Sequence, residues 1–320
     1  MEPRESTPTG RAAEFRLVGP GGEPVDLVRT FASHGVATLP PMELRDGGRA
    51  LEMTLAVPGR GPRRVVVAPS TAGFGAMTVA GRAPGPAAMS SLVATVRHVL
   101  RLDEDLSGFY ALVASDPELA WVAGGAGRMI RSPTVFEDVV KTICTTNCAW
   151  SATKRMVGAL VEYLGERAPG APPLGTLGRA FPTPEAMACA GDEFYRDVAR
   201  AGYRGAYLKS LALAVTEGSI DLESLGASSG SFSDDEVADR LLALPGVGPY
   251  AAAHIMMLLG RYSRLILDSW TRPTYARIAG RRTSTDAHIE RRFRRYGRYA
   301  GLAFWLYLTR DWIEDADEGS

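Results

Sequence analysis

Apolar and polar positions change period near residue 86 of the 320-residue chain. Before that point, Phe15-Arg16-Leu17-Val18, Leu51-Glu52-Met53-Thr54-Leu55-Ala56-Val57 and Arg64-Val65-Val66-Val67-Ala68 are short β-type runs broken by Gly/Pro turns, which predicts an antiparallel sheet. Asp26 to Ser33 reads as one helix lying across it. Beyond it, helical periodicity predicts helices over Met89–Leu102, Leu106–Ser115, Thr134–Thr146, Ser151–Gly165, Glu193–Ala201, Ala206–Val215 and Arg298–Ile313. The expected class is α+β: a disordered polar tail at 1–13, an N-terminal α/β lobe with an antiparallel sheet at 14–86, and a mostly helical domain at 87–320. Gly165–Pro173 and Gly226–Ser231 are Gly/Pro/Ser-rich loops.

One helical pair is more restrictive than its periodicity. Ser233 with Glu236 has the form of a capping box, so a helix starts there and carries Val237, Leu241 and Leu242 on one face. Pro245 and Gly246 stop it. A second helix restarts near Pro249, which needs no N–H partner in a first turn, and runs through Ala251, Ile255 and Met256 to Gly260. Two glycines between helices let the backbone turn sharply and leave amide N–H groups uncovered beside a helix N-terminus, where a phosphate oxygen is held without a side chain. An ordinary corner in a helical core is the alternative for such a turn.

Hydrophobic residues make up 46% of the chain, enough for a sizeable core. The formal net charge is zero, so global charge announces no polyanion partner. Its distribution says more: Thr271–Ala300 holds nine arginines against Asp286 and Glu290, a local excess able to face a phosphate backbone. For several of these a solvated helix face is the simpler reading. Lys141, Lys154 and Lys209 are the chain's lysines. Its cysteines, Cys144, Cys148 and Cys189, are too few for a four-thiolate iron–sulfur cluster, and without a nearby histidine pair they read as small buried residues, so no metal is expected. The odd count and the lack of a secretory signal fit a reducing cytoplasm. No apolar run approaches a membrane span, so no membrane partner is expected.

Leu244-Pro245-Gly246-Val247-Gly248, the helix after it and Asp268 resemble the helix-hairpin-helix-GPD superfamily of DNA glycosylases. Asp105-Leu106-Ser107-Gly108-Phe109-Tyr110, Ile143-Cys144-Thr145-Thr146-Asn147, Gly202-Tyr203-Arg204 and Gly297-Arg298-Tyr299-Ala300-Gly301 fall in the order seen in 8-oxoguanine and alkylpurine glycosylases. Together they span roughly the C-terminal two-thirds of the chain. The resemblance implies a monofunctional glycosylase of base excision repair. Such an enzyme flips a damaged base out of double-stranded DNA and hydrolyses its N-glycosidic bond. It implies a monomer without metal or organic cofactor, save a sodium or potassium ion on the hairpin carbonyls, and DNA contacts at Leu244, Gly246, Val247 and Gly248.

Breaking that bond passes through an oxocarbenium-like sugar, so a nearby carboxylate stabilises the developing charge and orients a water. The resemblance gives this role to Asp268, which is compatible with its place before a helix from Ser269, where it serves as an N-cap. Lyase members carry a lysine two residues after the last hairpin glycine; here the residue is Tyr250, so that amine nucleophile is missing. Tyrosine here resembles the monofunctional members, which implies that the Tyr250 ring lines the base pocket, and His254 lies one turn later on the same face, although a lone histidine on an apolar helix is more often a satisfied core group. Asn147, Tyr203 and Arg204 match residues that fill the gap left by the flipped nucleotide and contact the opposite cytosine. Core packing is the alternative for Tyr203, and a helix cap for Asn147.

Two positions depart from the 8-oxoguanine pattern. Ala152 replaces a further cytosine-reading arginine, and Phe304 replaces a glutamine that reads the guanine edge. Phe304, Tyr250 and Trp270 or Trp305 suggest an aromatic pocket suited to an electron-poor alkylated purine, while core packing accounts equally for Phe304 and Trp305. Two rival readings remain: a bifunctional glycosylase/lyase using Lys209 or Lys141, and a non-catalytic protein that binds damaged DNA.

Overall fold

The computed structural model describes residues 12–226 and 232–312. Most of the predicted tail, most of the predicted 226–231 loop, and Ile313 lie outside the described residues. Strands β1 (Ala12–Arg16), β2 (Met42–Arg45), β3 (Ala50–Val57), β4 (Arg60–Pro69) and β5 (Phe74–Val79) form one antiparallel sheet in the order β1-β5-β4-β3-β2. Ala12 and Ala13 therefore correct the predicted tail, because they pair with Thr78 and Met77 at the sheet edge. Two strands escaped prediction. β2 has only four residues, and β5 alternates buried and half-buried positions through the weak strand formers Gly75 and Ala76.

Helix α1 (Leu27–Phe31), capped by the Asp26 carboxylate, and α2 (Pro86–Val99) pack on β3, which is buried at every position but Ala56. Ala88, Leu92, Val96 and Val99 of α2 share one core with Leu51, Met53, Val65 and Val67 of the sheet. The remaining helices are α3 (Ser107–Val113), α4 (Val135–Thr145), α5 (Trp150–Leu164), α6 (Pro184–Cys189), α7 (Arg204–Thr216), α8 (Asp234–Leu242), α9 (Pro249–Leu258), α10 (Thr271–Ile278), α11 (Asp286–Phe293) and α12 (Ala300–Thr309). The helix predicted at Glu193–Ala201 is a single π-turn at Phe194–Val198. α6, and α11 with only Ile289 and Phe293 buried, are too short to raise a periodic signal.

The hairpin forms as its residues dictate. Ser233 and Glu236 exchange reciprocal hydrogen bonds of 2.7 and 3.2 Å at the start of α8, and Pro249 opens α9. α9 is apolar at nearly every position, so it is buried all round. Ala251, Ile255 and Met256 pack into a core with α4, α5, α7 and α8; Ala253 and Met257 join a second with α3, α10, α11 and α12; Leu258 reaches the core of the sheet. Fully burying Ile255, Met256, Met257 and Leu258 contributes about 1.5–3 kcal/mol each. This anchoring fixes the N-terminus of α9, with Tyr250 packed against both helical cores.

Candidate nucleic-acid groove and active site

At that N-terminus lies a cavity of about 1140 Å³, lined by both hairpin glycines, Tyr250, His254, Asp268, Trp270, Asn147 and Tyr203. Residues more than a hundred positions apart thus share one surface. The cavity exceeds the roughly 300–1,000 Å³ of ordinary ligand clefts, so it has room for more than a single base.

Gly246 adopts φ 78°, and a β-carbon there would come within 2.6 Å of the Tyr207 ring. Only glycine fits without strain. Gly248 differs: its backbone is extended (φ −99°, ψ −176°), and a β-carbon would meet nothing within 4 Å. The Leu244 and Val247 side chains are buried and anchor the turn in the core rather than lining the groove.

Asp268 is half-buried. Its Oδ1 accepts the amide N–H groups of Trp270 (2.9 Å) and Thr271 (2.6 Å), and its own N–H donates to Thr271 Oγ1 (2.8 Å). The carboxylate is therefore held at the start of α10 through one oxygen, while Oδ2 has no hydrogen-bond partner among the described residues. Capping and availability for chemistry coexist. Tyr250 is near enough to Asp268 to feel its charge, and burial first, then that charge, raises the phenol's pKa despite a bond to Thr145.

Across the groove, Asn147 sits just past the end of α4 with φ 48°, a left-handed position that asparagine tolerates. Its Nδ2 donates to Tyr203 Oη at 3.3 Å. Tyr203 is 54% exposed, so its ring stands out of the fold instead of packing the core. Arg204 is placed otherwise than expected. It is buried, its Nε and Nη2 donate to the Thr146 carbonyl, and its guanidinium lies 4.6 Å from the Tyr203 ring centroid. With those donors engaged, it supports Asn147 and Tyr203 from behind and does not line the groove.

Phe304 is corrected as a pocket residue. It is fully buried between Phe293 and Tyr275, with ring centroids 5.1 and 6.3 Å away. The next residue, Trp305, lines the groove and forms a three-ring cluster with Trp270 and Trp312, each pair 5.8 Å apart. Trp312, Trp150, Tyr207 and His34 also line it and were not anticipated. His34 comes from the N-terminal lobe, and its Nε2 lies 2.5 Å from His254 Nε2. His254 is thus buried yet partnered by a second imidazole, and burial pushes its pKa down to about 4, with Asp268 opposing.

Lys141 lines the groove, but its ammonium is buried and bonded to Glu137 Oε1 at 2.6 Å. Lys209 lies outside the groove and pairs with Asp192 at 2.6 Å. Of the nine arginines after Thr271, Arg272, Arg292 and Arg295 pair with Asp286, Glu118 and Asp116, and Arg298 donates to Tyr299 Oη. Arg277, Arg281, Arg282, Arg291 and Arg294 stay exposed. Among the described residues no cluster of three or more His, Cys, Asp or Glu is set to hold a metal ion, and no helix is long and apolar enough to cross a membrane.

No protein-family model and no curated protein matches the chain. Solved structures do. 3-Methyladenine DNA glycosylase from Archaeoglobus fulgidus superposes with a TM-score of 0.71 at 19% identity, over 93% of this chain and 98% of that one. The 8-oxoguanine glycosylase/lyase of Clostridium acetobutylicum in its apo form gives 0.70 at 19% identity, over 93% and 95%. The same enzyme in complex with double-stranded DNA containing cytosine opposite 8-oxoG gives 0.67 at 20%, over 92% and 94%. Over more than nine-tenths of its length the chain has the fold of these DNA glycosylases.

Proposed function

We propose that the chain is a monofunctional DNA glycosylase that extrudes a modified purine from duplex DNA and hydrolyses its N-glycosidic bond. The observation that carries this reading is the meeting, in one groove, of the glycine hairpin, the Asp268 carboxylate and the Asn147–Tyr203 pair. The hairpin amides hold a phosphate, Tyr203 wedges into the base stack, and Asn147 meets the orphaned partner base. Asp268 stabilises the positive charge that develops on the sugar and directs a water at it. Tyr250 occupies the position where an amine would make the enzyme a lyase, and a phenol forms no Schiff base. Tyr250, Trp270, Trp305 and Trp312 offer faces on which an electron-poor alkylated purine stacks. The solved structures above are of a 3-methyladenine and an 8-oxoguanine enzyme, the latter also bound to double-stranded DNA, which supports a modified purine as substrate and duplex DNA as partner.

A lyase reading has one observation in its favour, the presence of Lys141 at the groove, and one against, its bond to Glu137 inside the fold. The test is a panel of duplexes each carrying one lesion (an alkylated purine, 8-oxoguanine, hypoxanthine or uracil), with released free base measured by chromatography. Release of a modified purine is expected; release of no base from any duplex would refute the assignment. A covalent complex trapped by borohydride and lost in Lys141→Gln would establish the lyase instead.

A further inference from the structure

His34 caps the 3₁₀ turn Gly35–Thr38 in the N-terminal lobe, and His254 lies in the middle of α9. Their Nε2 atoms approach to 2.5 Å. Both rings are buried, both line the groove, and each faces the indole of Trp305 at 5.6 and 5.9 Å. Two nitrogens that close need a single proton between them, since two N–H groups or two lone pairs would repel. Burial keeps both imidazoles neutral: His254 titrates at about 4, and His34 lies well below its ordinary value, lowered further by His254.

A neutral imidazole carries one N–H and one lone pair. His34 Nδ1 accepts the Val36 N–H at 3.2 Å, so its proton is on Nε2 and is donated to His254 Nε2. His254 then must carry its proton on Nδ1. That atom is buried and has no hydrogen-bond partner among the described residues. An unpaired buried donor is uncommon in a native fold and marks a place that something else fills. The charged group that acts on His254 is Asp268, whose Oδ1 caps α10 and whose Oδ2 is not within hydrogen-bond distance of Nδ1.

We infer that His34 and His254 form a tautomer-locked pair, in which the lobe residue forces His254 to carry an Nδ1–H donor that the extruded base, on entering the groove, uncovers and engages through a ring nitrogen or carbonyl oxygen. This rests on the groove being the base pocket. His254 is the contacting residue and His34 a positioning residue, which gives the N-terminal lobe a part in reading the base. The pair favours bases that offer an acceptor at that edge and disfavours those that offer N–H there.

The test uses the full chain labelled with ¹⁵N-histidine, which contains four histidines. Two-bond ¹H–¹⁵N correlation spectra, assigned with His254→Phe and His34→Phe, report each tautomer directly. Expected are Nε2–H for His34 and Nδ1–H for His254, with the His254 proton moving when 3-methyladenine or hypoxanthine is added as free base. An Nε2–H or averaged His254, or a proton unmoved by either base, overturns the inference. In single-turnover excision His34→Phe should lose about tenfold, the size of one neutral hydrogen bond. His34→Gln, whose amide can donate to His254 Nε2, should recover most of it, with binding to abasic duplex unchanged throughout. Equal loss in the two variants would reduce His34 to packing. If wild type released no base from any lesion duplex while the spectra and base titration came out as expected, the glycosylase assignment would fall and the donor pair would stand.

Discussion

The two walls of the groove are built in opposite ways. One wall is a single run of chain, from the Gly246 turn through Tyr250 to Asp268, held in place by the buried helix α9. The other is assembled from His34, Trp150, Trp305 and Trp312, which meet only in the folded state. The first wall offers backbone amides and a carboxylate, groups that act on phosphate and sugar whatever the base. The second offers indole faces and the His34 imidazole that sets the tautomer of His254, groups that bear on which base is held. On the proposed reading, chemistry common to all substrates sits on local sequence, while selection also draws on tertiary assembly.

The largest effect that separates the walls is expected at Asp268. Asp268→Asn keeps an oxygen to accept the Trp270 and Thr271 amides, so α10 should stay capped and duplex affinity unchanged. Excision should fall by roughly 10²–10³, because the amide supplies no charge to the oxocarbenium-like state. Single-turnover kinetics beside equilibrium binding reads both; near-wild-type excision would remove Asp268 from the mechanism.

Within the first wall, the two hairpin glycines should behave differently. Gly246→Ala combines a left-handed backbone with a contact on Tyr207 and should cost about 1–3 kcal/mol of stability in urea melts. Gly248→Ala meets open space at an ordinary backbone conformation, so stability should hold. If a phosphate rests on this turn, Gly248→Ala should still weaken binding to damaged and undamaged duplex alike. Unchanged affinity in that stable variant would leave the hairpin as a structural corner.

Tyr203→Ala removes a ring that is more than half exposed, so stability should change by no more than about 0.5 kcal/mol. Excision from duplex should drop, while excision from a single strand, which needs no wedge, should not. An equal drop on both substrates would contradict the wedge.

The smallest effect concerns pH. His254 has a folded pKa of about 4, below the ordinary value near 6.5, so as pH falls the unfolded chain takes up its proton first. Its contribution is present above pH 6.5 and is lost between about 6.5 and 4. Asp138, buried and pushed up to about 6, acts with the opposite sign over much of that window, and His98 at about 4 acts with the same sign. The difference between wild type and His254→Phe isolates the pair. The variant should lose less stability between pH 7 and pH 5, and parallel curves would contradict a neutral, buried pair.

Legibility in the sequence followed the same division. The capping box and the Pro-Gly turn lie close together in sequence, and their geometry follows from caps and glycine conformations that act over a few residues, while Asp268 was legible through the resemblance it shares with them. β3, β4 and the long helices were legible for the same reason. His34 was not, because a contact between residues 220 positions apart leaves no local trace. Phe304 and Trp305 could not be told apart because every residue of α12 is buried, so no period shows which side meets the groove. Arg204 read as a DNA contact from its neighbours, but in the fold its guanidinium is spent on the Thr146 carbonyl.

The most direct test of the central claim is a strand-cleavage assay on an end-labelled lesion duplex that the wild type processes, each sample split and half treated with alkali. Hydrolysis by Asp268 without an amine nucleophile predicts an intact strand in the untreated half, cleavage after alkali, and loss of that alkali-dependent cleavage in Asp268→Asn. Efficient cleavage without alkali, or alkali-dependent cleavage undiminished in Asp268→Asn, would contradict it.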